Sequence, residues 1–350
     1  MSGKRTPLDI SSHIKKFSGL IGRSHKIVLI CHINPDGDAI GSMLALYRYL
    51  VRKGKKVEMI SPNYLQDFLL WMEGAGQIEI FIKRRRRCVQ LINESDLIIM
   101  LDFNQSDRLG EAEKHVVNSK ATKVVIDHHL DPSSFSDYLI SDTSRCATAE
   151  LVYDLVSGME GKPFADILFC EAIYVGIITD TGSFDFGSYD GHTLRIVAQL
   201  LDVGVDKEKV RIMVFNNFSA DRMRLMGFAL DQRMVILEEF DTAYIYLSKE
   251  DLLNYNHVKG DTEGFVNLPL EINNISFSVL FMEKSDLIKL SFRSKGDFPV
   301  NEFASKYYGG GGHKNAAGGE VKGDMMEAIT RFLSFIKEDN PKKRTLAEKQ

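Results

Sequence analysis

At 350 residues, with 44% apolar and 26% charged side chains, a formal net charge of −4 and a pI near 6.2, the chain has the make-up of a globular protein with room for two separately cored domains. That acidic balance offers no general grip on duplex DNA or a membrane surface, and no stretch approaches the roughly 18 apolar residues of a membrane span. The four cysteines, Cys31, Cys88, Cys146 and Cys170, form no C-x-x-C pair, and the N-terminal "MSGKRTPLDISSHIKKF" lacks an apolar export segment, so a soluble cytoplasmic protein is expected.

From residue 26 to about 200, short apolar runs alternate with helix-like segments: "KIVLICH", "AIGSMLALYRYLVRKG", "KKVEMI", then "SDLIIMLD" and "KVVIDHH". Strands buried on both faces read as continuous Val/Ile/Leu runs, so the pattern predicts an α/β domain over 1–205 with a parallel sheet and helical crossovers. Helices follow at "ATAELVYDLVSG", "DILFCEAIYVGIITD" and "HTLRIVAQLLDVG". Ligands of such sheets gather beyond the carboxyl ends of the strands, where His32, Asp102 and Asp127 fall. Residues 206–237 read as a helical linker. The texture then turns β-rich at "TAYIYLS", "ISFSVLFME" and "DLIKLSFRS", predicting a smaller mixed α/β domain over 238–340 with a final helix within 324–337 and a polar tail at 341–350. Trp71 and the aromatic pairs near 244–246 and 277–281 read as core, and "KRRRR" at 83–87 as a solvated face.

Four clusters carry chemistry. "HINPDGDAIGS" (32–42) places His32, Asp36 and Asp38 directly after an apolar run, although Asn-Pro and Asp-Gly are also ordinary turn formers. "IIMLDFNQSDRLG" ends a run on Asp102, "VVIDHHLDP" ends another on Asp127, His128 and His129, and "GIITDTGSF" ends an apolar helix on Asp180. Any one of these carboxylates could be a helix cap or a strand exit. Four converging on one sheet edge are better explained as a ligand set. Aspartate oxygens mixed with imidazole suit Mn²⁺, Fe²⁺ or Co²⁺ more than a cysteine-bound structural zinc. Six ligands exceed the need of one ion, whereas two ions about 3.5–4 Å apart sharing a carboxylate commonly activate water against phosphorus. In the later "YYGGGGHKNAAGGE" (307–320) the glycines either make a floppy loop or let backbone N–H groups approach a phosphate. His313 and Lys314 share that segment, and Arg293 in "LSFRSKG" offers a fork suited to phosphate. Arg108 and Arg145 can be read either as phosphate contacts or as partners of nearby carboxylates.

Together these motifs, in this order over roughly residues 20 to 335, resemble the DHH phosphoesterase superfamily, and in particular its compact branch of nanoRNases and 3′-phosphoadenosine-5′-phosphate (pAp) phosphatases with a DHH-associated C-terminal domain. The resemblance implies that His32, Asp36 and Asp102 hold one Mn²⁺ while Asp38, Asp102, His128 and Asp180 hold the other, with Asp102 as the bridge. It implies that His129 faces the scissile phosphate or leaving group, with Asp127 orienting a neighbouring histidine. Arg293, Gly311, Gly312 and His313 would grip the far phosphate or nucleotide. The implied substrates are short RNA and pAp, cut by in-line attack of water in a cleft that limits length, with a homodimer left open. Cyclic or linear dinucleotides, pyrophosphate or polyphosphate, and a nucleotide sensor without turnover are the rival readings.

Overall fold

The computed structural model describes residues 10–341 except 186–188 and 217, so the expected polar tail lies outside the described residues apart from its first position. The chain divides into two compact units, 1–217 and 218–350.

In the first unit the elements run α1 (Ile10–Arg23), β1 (Lys26–Ile30), α2 (Gly37–Arg52), β2 (Lys56–Ser61), β3 (Glu79–Ile80), α3 (Arg85–Glu94), β4 (Leu97–Leu101), α4 (Glu113–Val117), β5 (Thr122–Asp127), β6 (Tyr138–Ser141), α5 (Thr148–Glu160), α6 (Ile167–Asp180), α7 (Gly191–Val203) and α8 (Lys207–Phe215). The six strands form one parallel sheet in the order β3-β2-β1-β4-β5-β6. Successive strand residues serve opposite faces: Leu29 and Ile99 pack with α1, α2, α5 and α6, whereas Val28, Ile98 and Met100 pack with α3 and α4. Double-sided burial explains why β1, β4 and β5 are unbroken apolar runs, and it bears out the parallel α/β expectation. β3 and β6 escape such reading because two to four residues carry no usable period. The strand order reverses between β1 and β4, so the loops leaving these neighbours open a crevice at the sheet's carboxyl edge.

In the second unit follow α9 (Ala220–Gln232), β7 (Met234–Leu237), β8 (Thr242–Leu247), α10 (Lys249–Asn254), β9 (Phe277–Glu283), β10 (Ile288–Ser294), α11 (Val300–Tyr308), β11 (Gly311–His313), β12 (Ala316–Val321) and α12 (Met325–Glu338). The sheet order is β11-β12-β10-β9-β8-β7, antiparallel except for the parallel β8–β9 pair. Phe277, Phe281 and Phe292 meet Phe303 and Phe332 of α11 and α12 on one face, while Ile245, Leu280 and Met282 meet Leu225 and Leu252 on the other. One expectation needs correction: 206–237 is not helical throughout, because "MVIL" at 234–237 pairs with β8 as an edge strand. A four-residue apolar run after a helix has the same local signature as one more helical turn, and only pairing distinguishes them. Cys31, Cys88, Cys146 and Cys170 are buried free thiols. Among the described residues no helix is long and apolar enough to cross a membrane.

Candidate metal centre

The crevice gathers side chains from five elements. His32 follows β1; Asp36 caps α2, its Oδ1 accepting from the amides of Asp38 and Ala39 at 3.1 Å each; Asp38 lies in the first turn of α2. Asp102 follows β4 in a left-handed conformation (φ 69°), which turns the chain sharply where the sheet ends. Asp127 closes β5 with His128 and His129 next, and Asp180 closes α6.

Two groups of possible ligand atoms, each lying within 4.8 Å of one another, are His32, Asp36, Asp102 and Asp38, His128, Asp180; a third is Asp102, His128, His129. His32 Nε2 lies 3.4 Å from Asp102 Oδ2 and 4.0 Å from Asp36 Oδ1. His128 Nε2 lies 3.4 Å from Asp180 Oδ2, 3.7 Å from Asp102 Oδ1 and 3.9 Å from Asp38 Oδ2. Asp102 therefore turns one oxygen to each histidine, the disposition a shared carboxylate requires.

Hydrogen bonds fix these groups from behind. Carbonyl oxygens only accept, so Ile33 O at 2.7 Å from His32 Nδ1 and Arg145 O at 3.2 Å from His128 Nδ1 place the ring proton on Nδ1 and leave each Nε2 lone pair facing the carboxylates. Asp38 accepts from the amides of Thr148 (2.6 Å) and Ala149 (2.8 Å) at the start of α5 and from Ser42 Oγ (3.2 Å). Thr148 Oγ1 donates to Asp102 Oδ1 at 2.9 Å. Asp127 accepts from His129 Nδ1 at 2.8 Å and from the His129 amide at 3.0 Å, and Asn104 Nδ2 donates to the carbonyls of His129 and Leu130 at 2.9 Å each.

Charge crowding is severe. Burial, joined by Asp38, Asp36, Asp180 and Asp127, pushes the Asp102 carboxyl well above the usual carboxylate range. Burial raises Asp38 despite the opposing pull of His128, and burial with the Asp38 charge lifts Asp180 to about 7. Burial lowers His32; at His129 burial is outweighed by the Asp127 hydrogen bond and charge, so its pKa is raised. Buried carboxylates this close ionise together only around a cation, and oxygen donors with two imidazoles fit a hard divalent ion.

Arg145 belongs to a different set. Its guanidinium meets Asp142 at 3.3 Å, Glu150 at 3.0 Å and Asp154 at 3.1 Å, which decides between its two readings in favour of carboxylate pairing. Arg108 Nη2 sits 3.2 Å from His32 Nδ1, beside the cluster. In the second unit Arg293, in β10, turns Nη1 to its neighbour's Phe292 carbonyl at 2.9 Å, and burial lowers its pKa. Gly311 and Gly312 lie in strand β11 rather than a loose loop: at Gly312 (φ 145°) a Cβ would fall 2.4 Å from Ala316 O, so pairing with β12 itself demands glycine. The His313 side chain lies outside the described residues, and Lys314 pairs with Asp297. In the "KRRRR" run Arg84, Arg85 and Arg87 pair with Glu79, Glu111 and Glu58.

Thr148, Asn104 and a brace from the loop after β2 had no distinctive sequence signal. In that brace Asn63 Oδ1 accepts from the Asn34 amide and Asn63 Nδ2 donates to Asn34 Oδ1, both at 2.7 Å, holding Asn34 at φ 52°; Gln66 Nε2 donates to Pro35 O at 3.2 Å. Only turn-forming residues in "SPNYLQ" hinted at it.

Comparison with known proteins places the chain in company. The model of the DHH family N-terminal domain matches residues 26–177 and that of the DHHA1 domain residues 243–339. The bifunctional oligoribonuclease and PAP phosphatase NrnA of Thermus thermophilus is 29% identical over 89% of this chain and 90% of its own length, and that of Bacillus subtilis 26% identical over 84% and 89%. A solved structure described as an exopolyphosphatase-related protein from Bacteroides fragilis is 39% identical, covers 96% of this chain and 98% of its own, and superposes with a TM-score of 0.91.

Proposed function

The chain belongs to the DHH family of phosphoesterases and carries a DHHA1 domain, and from that premise we propose that it hydrolyses very short oligoribonucleotides, with pAp as a second substrate. The observation that carries the reading is the sharing of Asp102 between the two sets of donor atoms. The activities named for the Thermus and Bacillus relatives support the substrate class.

In this reading His32, Asp36 and Asp102 hold one divalent ion and Asp38, Asp102, His128 and Asp180 the other, with Mn²⁺ our choice of metal. Such ions lower the pKa of water and offset charge on phosphate oxygens. The chain's own groups do the rest. Thr148 and the α5 amides keep Asp102 and Asp38 in place, and the carbonyls of Ile33 and Arg145 keep both imidazole lone pairs turned inward. His129, proton-rich because of Asp127, faces the scissile phosphate or leaving group and supplies a proton there. Arg293 and the Gly311–His313 strand of the second unit bind the substrate's other phosphate or base.

Polyphosphate hydrolysis is the second reading, favoured by the description of the Bacteroides relative. A panel of two- to ten-nucleotide RNAs, pAp, cyclic dinucleotides, pyrophosphate and polyphosphate, run with Mn²⁺ and with chelator, tests both. Metal-dependent turnover of di- and trinucleotides is expected; turnover confined to pyrophosphate or polyphosphate would replace the first reading with the second.

A further inference from the structure

Residues 145–149, leading into and beginning α5, touch three of the six candidate ligands at once. Arg145 O meets His128 Nδ1 at 3.2 Å, the Thr148 and Ala149 amides hold Asp38 at 2.6 and 2.8 Å, and Thr148 Oγ1 holds Asp102 at 2.9 Å. We propose that this segment is the platform that sets the geometry of the metal centre, and that Arg145 is its anchor and a positioning residue. The inference rests on the two-ion reading above.

The anchoring is visible in what surrounds the guanidinium. Arg145, with a side chain only 12% exposed, is enclosed by Asp142, Glu150 and Asp154 at 5%, 1% and 12%. Buried charges of this kind persist only when paired, so the cage and the cation hold each other. Glu150 also accepts from the Cys146 amide at 3.1 Å and from Thr193 Oγ1 at 3.3 Å, and His192 of α7 closes the far side at 2.9 Å from Asp154. Side chain and main chain of Arg145 thus serve different partners: the fork meets Asp142 and two carboxylates of α5, which α7 braces in turn, while the carbonyl is presented to His128. The fork is buried among three carboxylates, whose charge would repel a phosphate. Arg145 therefore acts through His128 and not on substrate.

Arg145→Lys keeps a positive charge in the cage, but a single ammonium cannot meet three carboxylates as the fork does. Calorimetric titration of the full chain with Mn²⁺ should show binding weakened about 10- to 100-fold, the usual effect of removing support behind a ligand. KM for a diribonucleotide at saturating Mn²⁺ should stay unchanged, and imidazole ¹⁵N spectra of the metal-free protein should show His128 losing its single Nδ1–H form. Thr148→Val, which removes the hydroxyl on Asp102 and leaves the cage intact, should also weaken Mn²⁺ binding and decides the matter if the lysine variant does not fold. Unchanged Mn²⁺ affinity in the folded variants overturns the proposal, as does a raised KM with intact metal binding, the mark of a phosphate contact. Absence of Mn²⁺ binding by the unaltered protein would instead remove the two-ion reading, and the platform with it.

Discussion

Gly41 of α2 lies so close to Gly176 of α6 that a Cβ on Gly41 would stand 3.0 Å from the Gly176 amide nitrogen and 2.5 Å from the Ala172 carbonyl oxygen. A Cβ on Gly176 would in turn stand 2.9 Å from Asp38 Oδ1. These two helices carry Asp36, Asp38 and Asp180, so their approach sets how near those carboxylates come. Gly41→Ala should lower stability by about 1–3 kcal/mol, as overpacking of a close contact does, and weaken divalent-ion binding. Denaturant unfolding in chelator and calorimetry with Mn²⁺ measure the two effects; an unaltered unfolding midpoint would contradict the packing account.

Asp102→Asn separates charge from shape. The amide can still accept from Thr148 Oγ1, and it removes one of several mutually repelling buried carboxylates. The metal-free variant should therefore be at least as stable as the parent, yet hold fewer ions and lose turnover. Metal analysis beside thermal unfolding checks this, and a variant that keeps two ions and near-native rates would refute the shared-carboxylate role.

His129 tests the division between holding metal and moving protons. Anchored by Asp127 at 2.8 Å, it is expected to serve the leaving group, so His129→Ala should retain bound metal while turnover falls about 10²- to 10⁴-fold. Loss of an ion on substitution would make it a ligand instead.

The raised carboxyls give a signed pH dependence. Burial lifts Asp180 from its ordinary 3.8 to about 7, and Asp102 and Asp38 shift the same way, so the metal-free fold binds more protons than the unfolded chain between those values. Its stability contribution is full below about pH 4 and is lost as pH rises through about 7. Divalent ions need the ionised form, so the gain in melting temperature on adding Mn²⁺ should grow from about pH 5 to about pH 8. Melting curves with and without metal read this directly, and a gain that shrinks with pH would reverse the sign.

His32, Asp102 and Asp127 can be picked out of the sequence because each stands at the end of an apolar run, and parallel strands must deliver such run ends to one edge of the sheet. Thr148 and Ala149 cannot, since what they contribute is main-chain amides and one hydroxyl in "CATAE", which reads as any helix start. Arg145 is ambiguous in sequence because its three carboxylate partners are set around it only by the packing of α5. The floppy-loop reading of the glycine run fails for a related reason: its residues look permissive one by one, but Gly312 is required by a neighbour across the hairpin. Strand β7 is hidden because a partner strand, not a period, makes it a strand.

Substrate length separates a short-RNA phosphoesterase from an enzyme that follows long strands. Three arginines of the run at 84–87 are engaged with glutamates, and the net charge is −4, so neither that run nor the overall charge supplies the positive surface with which single-strand binders follow a long backbone. The measurement is the initial rate of Mn²⁺-supported hydrolysis of di- to pentaribonucleotides against a 24-nucleotide RNA of matched composition at equal concentration. Much faster loss of the short substrates is predicted; equal rates on both lengths, or no hydrolysis of either, would contradict a short-RNA phosphoesterase.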